Sequence, residues 1–409
     1  MRTDKPKIKN DFSPKKCGEL FSTGKLTPES ISVLNNFDDV IQGVKPLNSR
    51  QLQQLPDNIR NLSHQLTDKR SERRLGYMND NIQLSSYVRY YTWWNLVRLT
   101  RLFSNLPDSV FPKKDCVCLD LGSGPLTVIT ALWLARPELR KLKITWYALD
   151  VSANSLALGE DVYLSTVART SSADIEQSEV PWKIIRVKGS FGTSIRQKAD
   201  FVTCANMFNE LDQVSDMPPE FTTKKYFEQL KAYSTPSASF ILVEPGVPKS
   251  ARTISLLRGR FIGIGKQIVA PCPHADDCPM NGFKSYTGSK NKWCNFAFAT
   301  DDAPAKLLKL SERAKLPKER ATLSFIAVSN ENIDTKNDDL LCRVASDPIR
   351  LPNYRTGYYA CSKLGLTLLT VPQLDEKKQL SSGQLISVKI KTPDSLPKDE
   401  KSGACVISL

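Results

Sequence analysis

The chain has no apolar run near the ~20 residues that a membrane-spanning helix needs. Its opening residues, MRTDKPKIKNDF, carry no apolar core of a secretory signal, and Asp4 and Asp11 interrupt any basic amphipathic transit segment. Internal repeats and low-complexity tracts are missing too. These absences exclude a membrane span and argue against export. The expected address is the cytoplasm of a bacterium, with the mitochondrial matrix second. Without an oxidising compartment, the ten cysteines read as thiols or metal ligands rather than as a disulfide framework. What is present is a 409-residue chain, 40% apolar and long enough for two or three domains with real cores. Lysine and arginine number 57 against 43 acids, a net charge of +14. Such a surplus points to a polyanionic partner, RNA or DNA, held through phosphate contacts and counterion release.

Composition shifts divide the chain into an N-terminal arm and helical region (1–110), an alternating α/β region (111–250), a cysteine-rich segment returning to the sheet (251–335) and a small β-rich C-terminal domain (336–409). In the first region Lys69, Arg70, Arg73 and Arg74 form a basic cluster ahead of Tyr87, Tyr90, Tyr91 and Trp94, which recur at helical spacing. Bases could stack on such rings, but a helix face packed on the next domain is the simpler account. Strands over Val117–Leu121, Leu142–Leu149, Trp182–Val187, Asp200–Ala205 and Ser239–Val243 alternate with helices over Leu126–Ala135, Ser155–Val167 and Lys224–Tyr233. That alternation predicts a doubly wound, mostly parallel sheet. Short β runs after residue 336 predict a small barrel or a β-extension.

The turn Asp120-Leu-Gly122-Ser123-Gly124-Pro-Leu sits between a strand and a helix, where glycines allow close backbone approach and a helix N-terminus offers free N–H groups. Thr127 stands where a dinucleotide fingerprint needs its third glycine, so NAD is disfavoured. With Asp120 ahead of the glycines, the turn resembles motif I of class I S-adenosylmethionine methyltransferases. Asp150 closes the next strand, where a carboxylate can accept from both ribose hydroxyls. Asp120, Gly122, Ser123, Gly124 and Asp150 are therefore the candidate cofactor residues. Asn206, Asn209 and Glu210 follow a later strand as polar groups for the pocket mouth. They form no Asn-Pro-Pro-Tyr box, no Pro-Cys nucleophile precedes them, and the catalytic residues stay unassigned.

The second half holds Cys272-Pro-His274-Ala-Asp-Asp-Cys278-Pro, then Trp293-Cys294, and Cys361 further on. Thiolates suit zinc or iron–sulfur centres. The tight C-x₂₋₄-C hooks of a zinc ribbon are absent, and the loose spacing is more compatible with a cluster on four thiolates. His274 is a candidate zinc ligand, and Cys342 is the main rival to Cys361 as the fourth ligand. Cys116, Cys118 and Cys204 fall on or beside strands as core residues, while Cys17 and Cys405 fall in loose ends.

Asp120-Leu-Gly-Ser-Gly-Pro125, Asn209-Glu-Leu211, Val243-Glu-Pro-Gly246, Ala270-Pro-Cys-Pro-His274, Cys278-Pro279, Trp293-Cys-Asn-Phe296 and Leu323-Ser-Phe-Ile326 occur in one order over about residues 60 to 365. Together they resemble the methyltransferase-like family of mitochondrial small-ribosomal-subunit assembly factors and their bacterial relatives. The resemblance implies a Rossmann-like class I methyltransferase sheet with a helical N-terminal region, a cysteine-rich insertion and a β-rich C-terminal domain. It also implies a [4Fe–4S] cluster on Cys272, Cys278, Cys294 and Cys361, S-adenosylmethionine as cofactor, and a protein monomeric off the ribosome that acts on the small subunit near its rRNA. rRNA methylation is the expected activity. A non-catalytic assembly factor and a zinc-stabilised methyltransferase with another substrate are the rivals. Arg252, Arg258, Arg260 and Lys266 before the cysteines, and Lys306, Lys309, Arg313, Lys315, Lys318 and Arg320 after them, are candidates for phosphate contacts.

Overall fold

Two sheets organise the chain in the computed structural model, which describes residues 14–67, 77–170, 179–212, 217–283, 292–331, 339–390 and 395–409. The basic cluster Lys69–Arg74 lies outside the described residues. In chain order come β1 (Lys15–Glu19), α1 (Pro28–Asn35), α2 (Phe37–Val44), α3 (Ser49–Thr67), α4 (Asn81–Tyr87), a π-helical turn (Val88–Thr92) and α5 (Trp93–Phe103). The alternating part follows with β2 (Cys116–Leu121), α6 (Thr127–Ala135), β3 (Ile144–Asp150), α7 (Ala153–Thr170), β4 (Lys183–Lys188), β5 (Ala199–Ala205), α8 (Phe208–Leu211), α9 (Pro219–Tyr233), β6 (Ser234–Glu244) and α10 (Pro248–Gly263). Then come β7 (Gln267–Ala270), β8 (Phe296–Ala299), α11 (Ala305–Arg313) and β9 (Arg320–Ser329). The C-terminal strands are β10 (Leu340–Val344), β11 (Ile349–Leu351), β12 (Arg355–Ser362), β13 (Gly365–Pro372), β14 (Gln384–Val388) and β15 (Cys405–Ser408).

The first sheet runs β4-β3-β2-β5-β6-β9-β7, with β8 added on β9. β4 through β6 are parallel to their neighbours, and β9 is antiparallel to both β6 and β7. This is the class I methyltransferase arrangement, with the reversed strand inserted next to the edge. Such a sheet is covered on both faces, so its strands are apolar on both sides. In β2, Cys118 packs with α6 and α7 on one face, and Leu119 and Leu121 join α9 and α10 on the other. Every residue of α6 is buried, which suits a helix with no polar side in its sequence TVITALWLA. The strand order reverses between β2 and β5, and there a doubly wound sheet opens a crevice at its carboxyl edge.

The cysteine segment, β8 and α11 are inserted between β7 and β9, where these two neighbouring antiparallel strands would otherwise form a hairpin. The second sheet runs β1-β14-β10-β12-β13-β15, with β11 paired to β12, around a core of its own that includes Cys342, Tyr358 and Ile386. Two residues expected in loose ends are thereby placed on strands: Cys17 lies in β1, paired with β14, and Cys405 in β15, parallel to β13. The β1–β14 pairing joins residues near opposite ends of the chain, Lys15 to Ser387, and non-local pairing leaves no local periodicity to read.

The π-helical turn splits the aromatic run by direction. Tyr90 and Trp94 are buried and donate to Leu316 O (3.0 Å) and Ser311 Oγ (3.1 Å), as the packed-face account expects. Tyr87 instead reaches the crevice of the first sheet and stacks on Tyr91 at 5.4 Å. Among the described residues no helix is long and apolar enough to cross a membrane.

Candidate functional site

At the carboxyl ends of β2, β3 and β5 lies a cleft of about 970 Å³, its open mouth included. β2 delivers the chain into the turn where Gly122 (φ 63°) and Gly124 (φ 52°) take the left-handed conformation that glycine adopts without steric cost. Space demands glycine as well: a Cβ on Gly122 would stand 2.8 Å from Met207 Cβ. The turn has no third glycine. The close approach of helix and turn is made from α7, where a Cβ on Gly159 would lie 2.4 Å from the Pro125 carbonyl carbon.

Asp150, at the end of β3, lines the cleft and accepts hydrogen bonds from the Gly124 N–H (2.9 Å) and the Ser152 N–H (2.8 Å). Burial raises its pKa, against the pull of those backbone donors. Gly122, Ser123 and Gly124 also line the cleft, but Asp120 does not. Asp120 lies fully buried beneath the turn and accepts from Ser123 Oγ (2.6 Å) and Thr203 Oγ1 (2.7 Å). Burial pushes its pKa up to about 7, despite the two hydroxyl donors. It is a positioning residue that fixes the turn against β5.

Tyr87, Asn95, Asn206 and Glu210 line the cleft as well. Asn206 is left-handed at φ 60°, a conformation that non-glycine residues adopt at some cost and that clusters at functional sites. Arg98 holds it there, donating to Asn206 Oδ1 (3.0 Å), Asn95 Oδ1 (2.9 Å) and Thr322 O (3.0 Å). Glu244, fully buried at the end of β6, accepts from the Phe208 N–H (2.9 Å) and the Asn209 N–H (3.1 Å) and so caps α8. Burial raises its pKa to about 8 even with those donors. The Glu-Pro-Gly sequence was legible, but its glutamate's role was not, because the N–H groups it serves lie on another strand's exit.

Cys272, Cys278, Cys294 and Cys361 line one small cavity with Arg258, Arg343, Met280 and Phe296. Three stretches of chain converge there. The antiparallel bridge of Asn281 with Trp293, with bonds from the Gly282 N–H to Lys292 O (2.9 Å) and from the Cys294 N–H to Met280 O (2.9 Å), brings Cys294 back beside Cys278. Cys361 arrives on β12, directly opposite Arg343 of β10. Strand alternation turns Cys342 to the other face, into the core of the second sheet. Burial raises the Cys272, Cys294 and Cys361 thiols, and the neighbouring thiols of the set raise them further.

Arg258 donates from Nε to Cys272 Sγ at 3.1 Å, and His274 Nε2 stands 3.0 Å from Cys361 Sγ. Burial lowers Arg343 to about 10, opposed by the Cys272, Cys294 and Cys361 thiols. Among the described residues, no group of three or more His, Cys, Asp or Glu side chains is arranged to hold a metal ion. A single zinc would need its thiolates within about 2.3 Å of one point. The donor set itself, four thiols of which Cys361 is buried and the other three half-buried, flanked by two buried guanidinium groups, fits an anionic cluster.

The chain beside one site is tied to the chain beside the other. Trp293 Nε1 (3.1 Å) and Asn295 Nδ2 (3.2 Å), the neighbours of Cys294, both donate to Gly246 O, two residues beyond Glu244. Among the basic residues expected on phosphates, Arg258 and Lys266 are buried, Arg258 on the cysteine cavity and Lys266 on the carbonyls of Pro236 and Ala238 (both 2.7 Å). Burial lowers Lys318 to about 8, and its amine lies 5.1 Å from the Trp94 ring centre. Arg258 and Lys266 are thus engaged inside the protein, while Lys318 is half-buried beside Trp94. Lys306 pairs with Asp38 and Asp39 and Arg320 with Asp347, while Lys309, Arg313 and Lys315 are exposed.

No curated protein matches the chain. Solved structures similar to it include precorrin-6Y C5,15-methyltransferase from Geobacter metallireducens, 11% identical over 57% of this chain and 88% of that one, with a TM-score of 0.32. An S-adenosylmethionine-dependent methyltransferase from Geobacter sulfurreducens in complex with S-adenosyl-L-homocysteine is 13% identical over 58% and 90%, with a TM-score of 0.30. At such scores these likenesses carry no argument. The family described as mitochondrial small ribosomal subunit Rsm22 matches residues 94–354, from the start of α5 to the end of the β11–β12 turn and more than half of the chain. The chain belongs to the Rsm22 family.

Proposed function

We propose that this protein is an S-adenosylmethionine-dependent methyltransferase that acts on the rRNA of the small ribosomal subunit and carries a [4Fe–4S] cluster. The observation that carries the reading is the cleft at the strand-order reversal, with a glycine turn on one wall and a buried carboxylate beside it. S-adenosylmethionine would supply an activated methyl group there. The Gly122, Ser123 and Gly124 backbone would hold its methionine end, with Asp120 bracing the turn from below. Asp150 keeps lone pairs beyond those given to Gly124 and Ser152, enough to accept from ribose hydroxyls. Tyr87, Asn95, Asn206 and Glu210 line the same cleft, where they would orient an acceptor base and help exclude water. Family membership supports the ribosomal partner, and the excess positive charge supports rRNA within it.

Cys272, Cys278, Cys294 and Cys361 are the proposed cluster ligands; Cys361 lies just beyond the stretch the family matches. Off the ribosome the protein would be a monomer. Its compartment would be that of its ribosome, the bacterial cytoplasm or the mitochondrion of the family's description. The test is protein made without oxygen, titrated with S-adenosylmethionine by calorimetry and incubated with isolated small subunits and methyl-labelled cofactor. Cofactor binding and label in rRNA are expected, with about four irons and four sulfides per chain. Tight subunit binding with neither label nor cofactor affinity would establish a non-catalytic assembly factor instead, and zinc in place of iron would remove the cluster.

A further inference from the structure

Outside both sites, α9 and α10 present a surface where two phenylalanine rings stand in solvent beside cations. Phe221, in the first turn of α9, and Phe283, in the stretch between Cys278 and Cys294, are each 54% exposed. Full burial of such a ring is worth ~1.5–3 kcal/mol, so two neighbouring open rings call for a reason. The Arg252 guanidinium lies 3.8 Å from the Phe283 ring centre and pairs at 2.6 Å with Glu220, the residue before Phe221. Lys225 Nζ stands 6.0 Å from the Phe221 ring, and Arg260 donates to Glu220 O at 3.0 Å. The surface begins at the cleft mouth: Lys249 Nζ donates at 2.7 Å to the carbonyl of Asp212, the residue after Leu211 of the cleft wall.

We infer that this surface binds an unpaired stretch of RNA leading into the cofactor cleft. The inference rests on the rRNA reading above and names the surface that would carry it. Charge complementarity selects the occupant. Arg252 pairs with the Glu220 carboxylate, while Lys225 lies near the Phe221 ring, Arg260 on the Glu220 carbonyl and Lys249 on the Asp212 carbonyl, so four cations accompany one contacted surface carboxylate and the surface is net basic. The centre of a protein interface excludes lysine, whereas rings interleaved with lysine and arginine stack bases and hold phosphates. Unpaired RNA fits because its bases are free to leave the stack and lie on a ring; those of a duplex are not.

The test titrates anaerobically prepared protein with a short fluorescein-labelled single-stranded RNA and with its duplex, over a range of salt. Replacing both rings (Phe221→Ala with Phe283→Ala) is expected to weaken single-strand binding about tenfold or more and to leave duplex binding unchanged. Tryptophan at both positions should retain affinity. Lys225→Gln should lower the salt slope by about one. The variants are expected to melt with the wild type, since both rings are exposed. Wild type that binds no single strand, or alanine variants that bind it as tightly as wild type, would overturn the inference. Variants that keep RNA affinity but no longer sediment with the small subunit would also overturn it, and assign the surface to a ribosomal protein. Failure of the rRNA reading itself shows separately, as wild-type protein that does not sediment with small subunits. Failure of the cofactor reading shows as the absence of binding heat with S-adenosylmethionine.

Discussion

Asp120 and Glu244 are fully buried carboxylates that satisfy their oxygens with hydroxyl and backbone N–H donors rather than with contacting cations. Burial raises them to about 7 and about 8, where an unfolded chain would titrate near 4. The folded protein therefore holds protons that the unfolded chain has released. Stability from these groups is complete below the unfolded values and is lost as pH rises through the folded ones. His274, which burial lowers, works the other way only up to its ordinary value of 6.5. Between pH 6.5 and 8 the melting temperature of cofactor-free protein should accordingly fall, and Glu244→Gln should flatten that fall. Parallel profiles for variant and wild type would show that Glu244 is ionised throughout. The glutamine offers one acceptor where the carboxylate serves two N–H groups, so at pH 6.5 the variant should already be less stable by about 1–3 kcal/mol.

Glycines separate what an element needs from what it merely tolerates. On α7, Gly159 is pressed against the Pro125 backbone, so Gly159→Ala should cost about 1–3 kcal/mol by overpacking and weaken S-adenosylmethionine binding by moving the turn. On α10, a Cβ on Gly259 would meet nothing within 4 Å, and Gly259→Ala should stabilise by about 0.5–1 kcal/mol with cofactor affinity unchanged. Melting curves and calorimetry on the pair check both. If Gly159→Ala behaves like Gly259→Ala, the tight helix–turn contact is not what sets the turn. The turn was legible in sequence because glycines and Asp120 are local to it, and the parallel strands because buried strands read as apolar runs. Gly159 was not legible, since its partner lies over thirty residues away and one glycine in a helix has no signature of its own. The π-helical turn was equally hidden: it changes which side of a helical aromatic run faces the cleft without changing the spacing. Cys361 over Cys342 follows from strand alternation once β10 and β12 are paired, and that pairing is invisible in either strand alone.

At the scale of the whole molecule, the cysteine segment is where the two sheets meet. Pro271 O accepts from Arg343 Nε of the second sheet (2.8 Å), and Arg343 Nη1 goes on to Gly383 O (2.7 Å). Phe21, just after β1, packs on Phe296 and Phe298, and Ser382 Oγ accepts from the Ala297 N–H (3.1 Å). Cys361 is the one proposed cluster ligand on the second sheet, while Cys272, Cys278 and Cys294 belong to the insertion in the first. A cluster on all four would join the sheets at this seam, and without it four thiols, Cys361 buried and the others half-buried, and two buried guanidinium groups would face one another across the seam. Cys272→Ser, made without oxygen, should therefore loosen the seam while sparing the parallel strands. Amide exchange in β10 and β12 should speed by about tenfold or more, with β2, β3 and β5 unchanged, because local opening draws on the least buttressed unit first. Chelation of iron from the wild type should reproduce the pattern. Uniform acceleration across both sheets would mean that Cys272 serves the general core, and unchanged exchange in β10 and β12 would mean that hydrogen bonds and ring packing alone hold the sheets together.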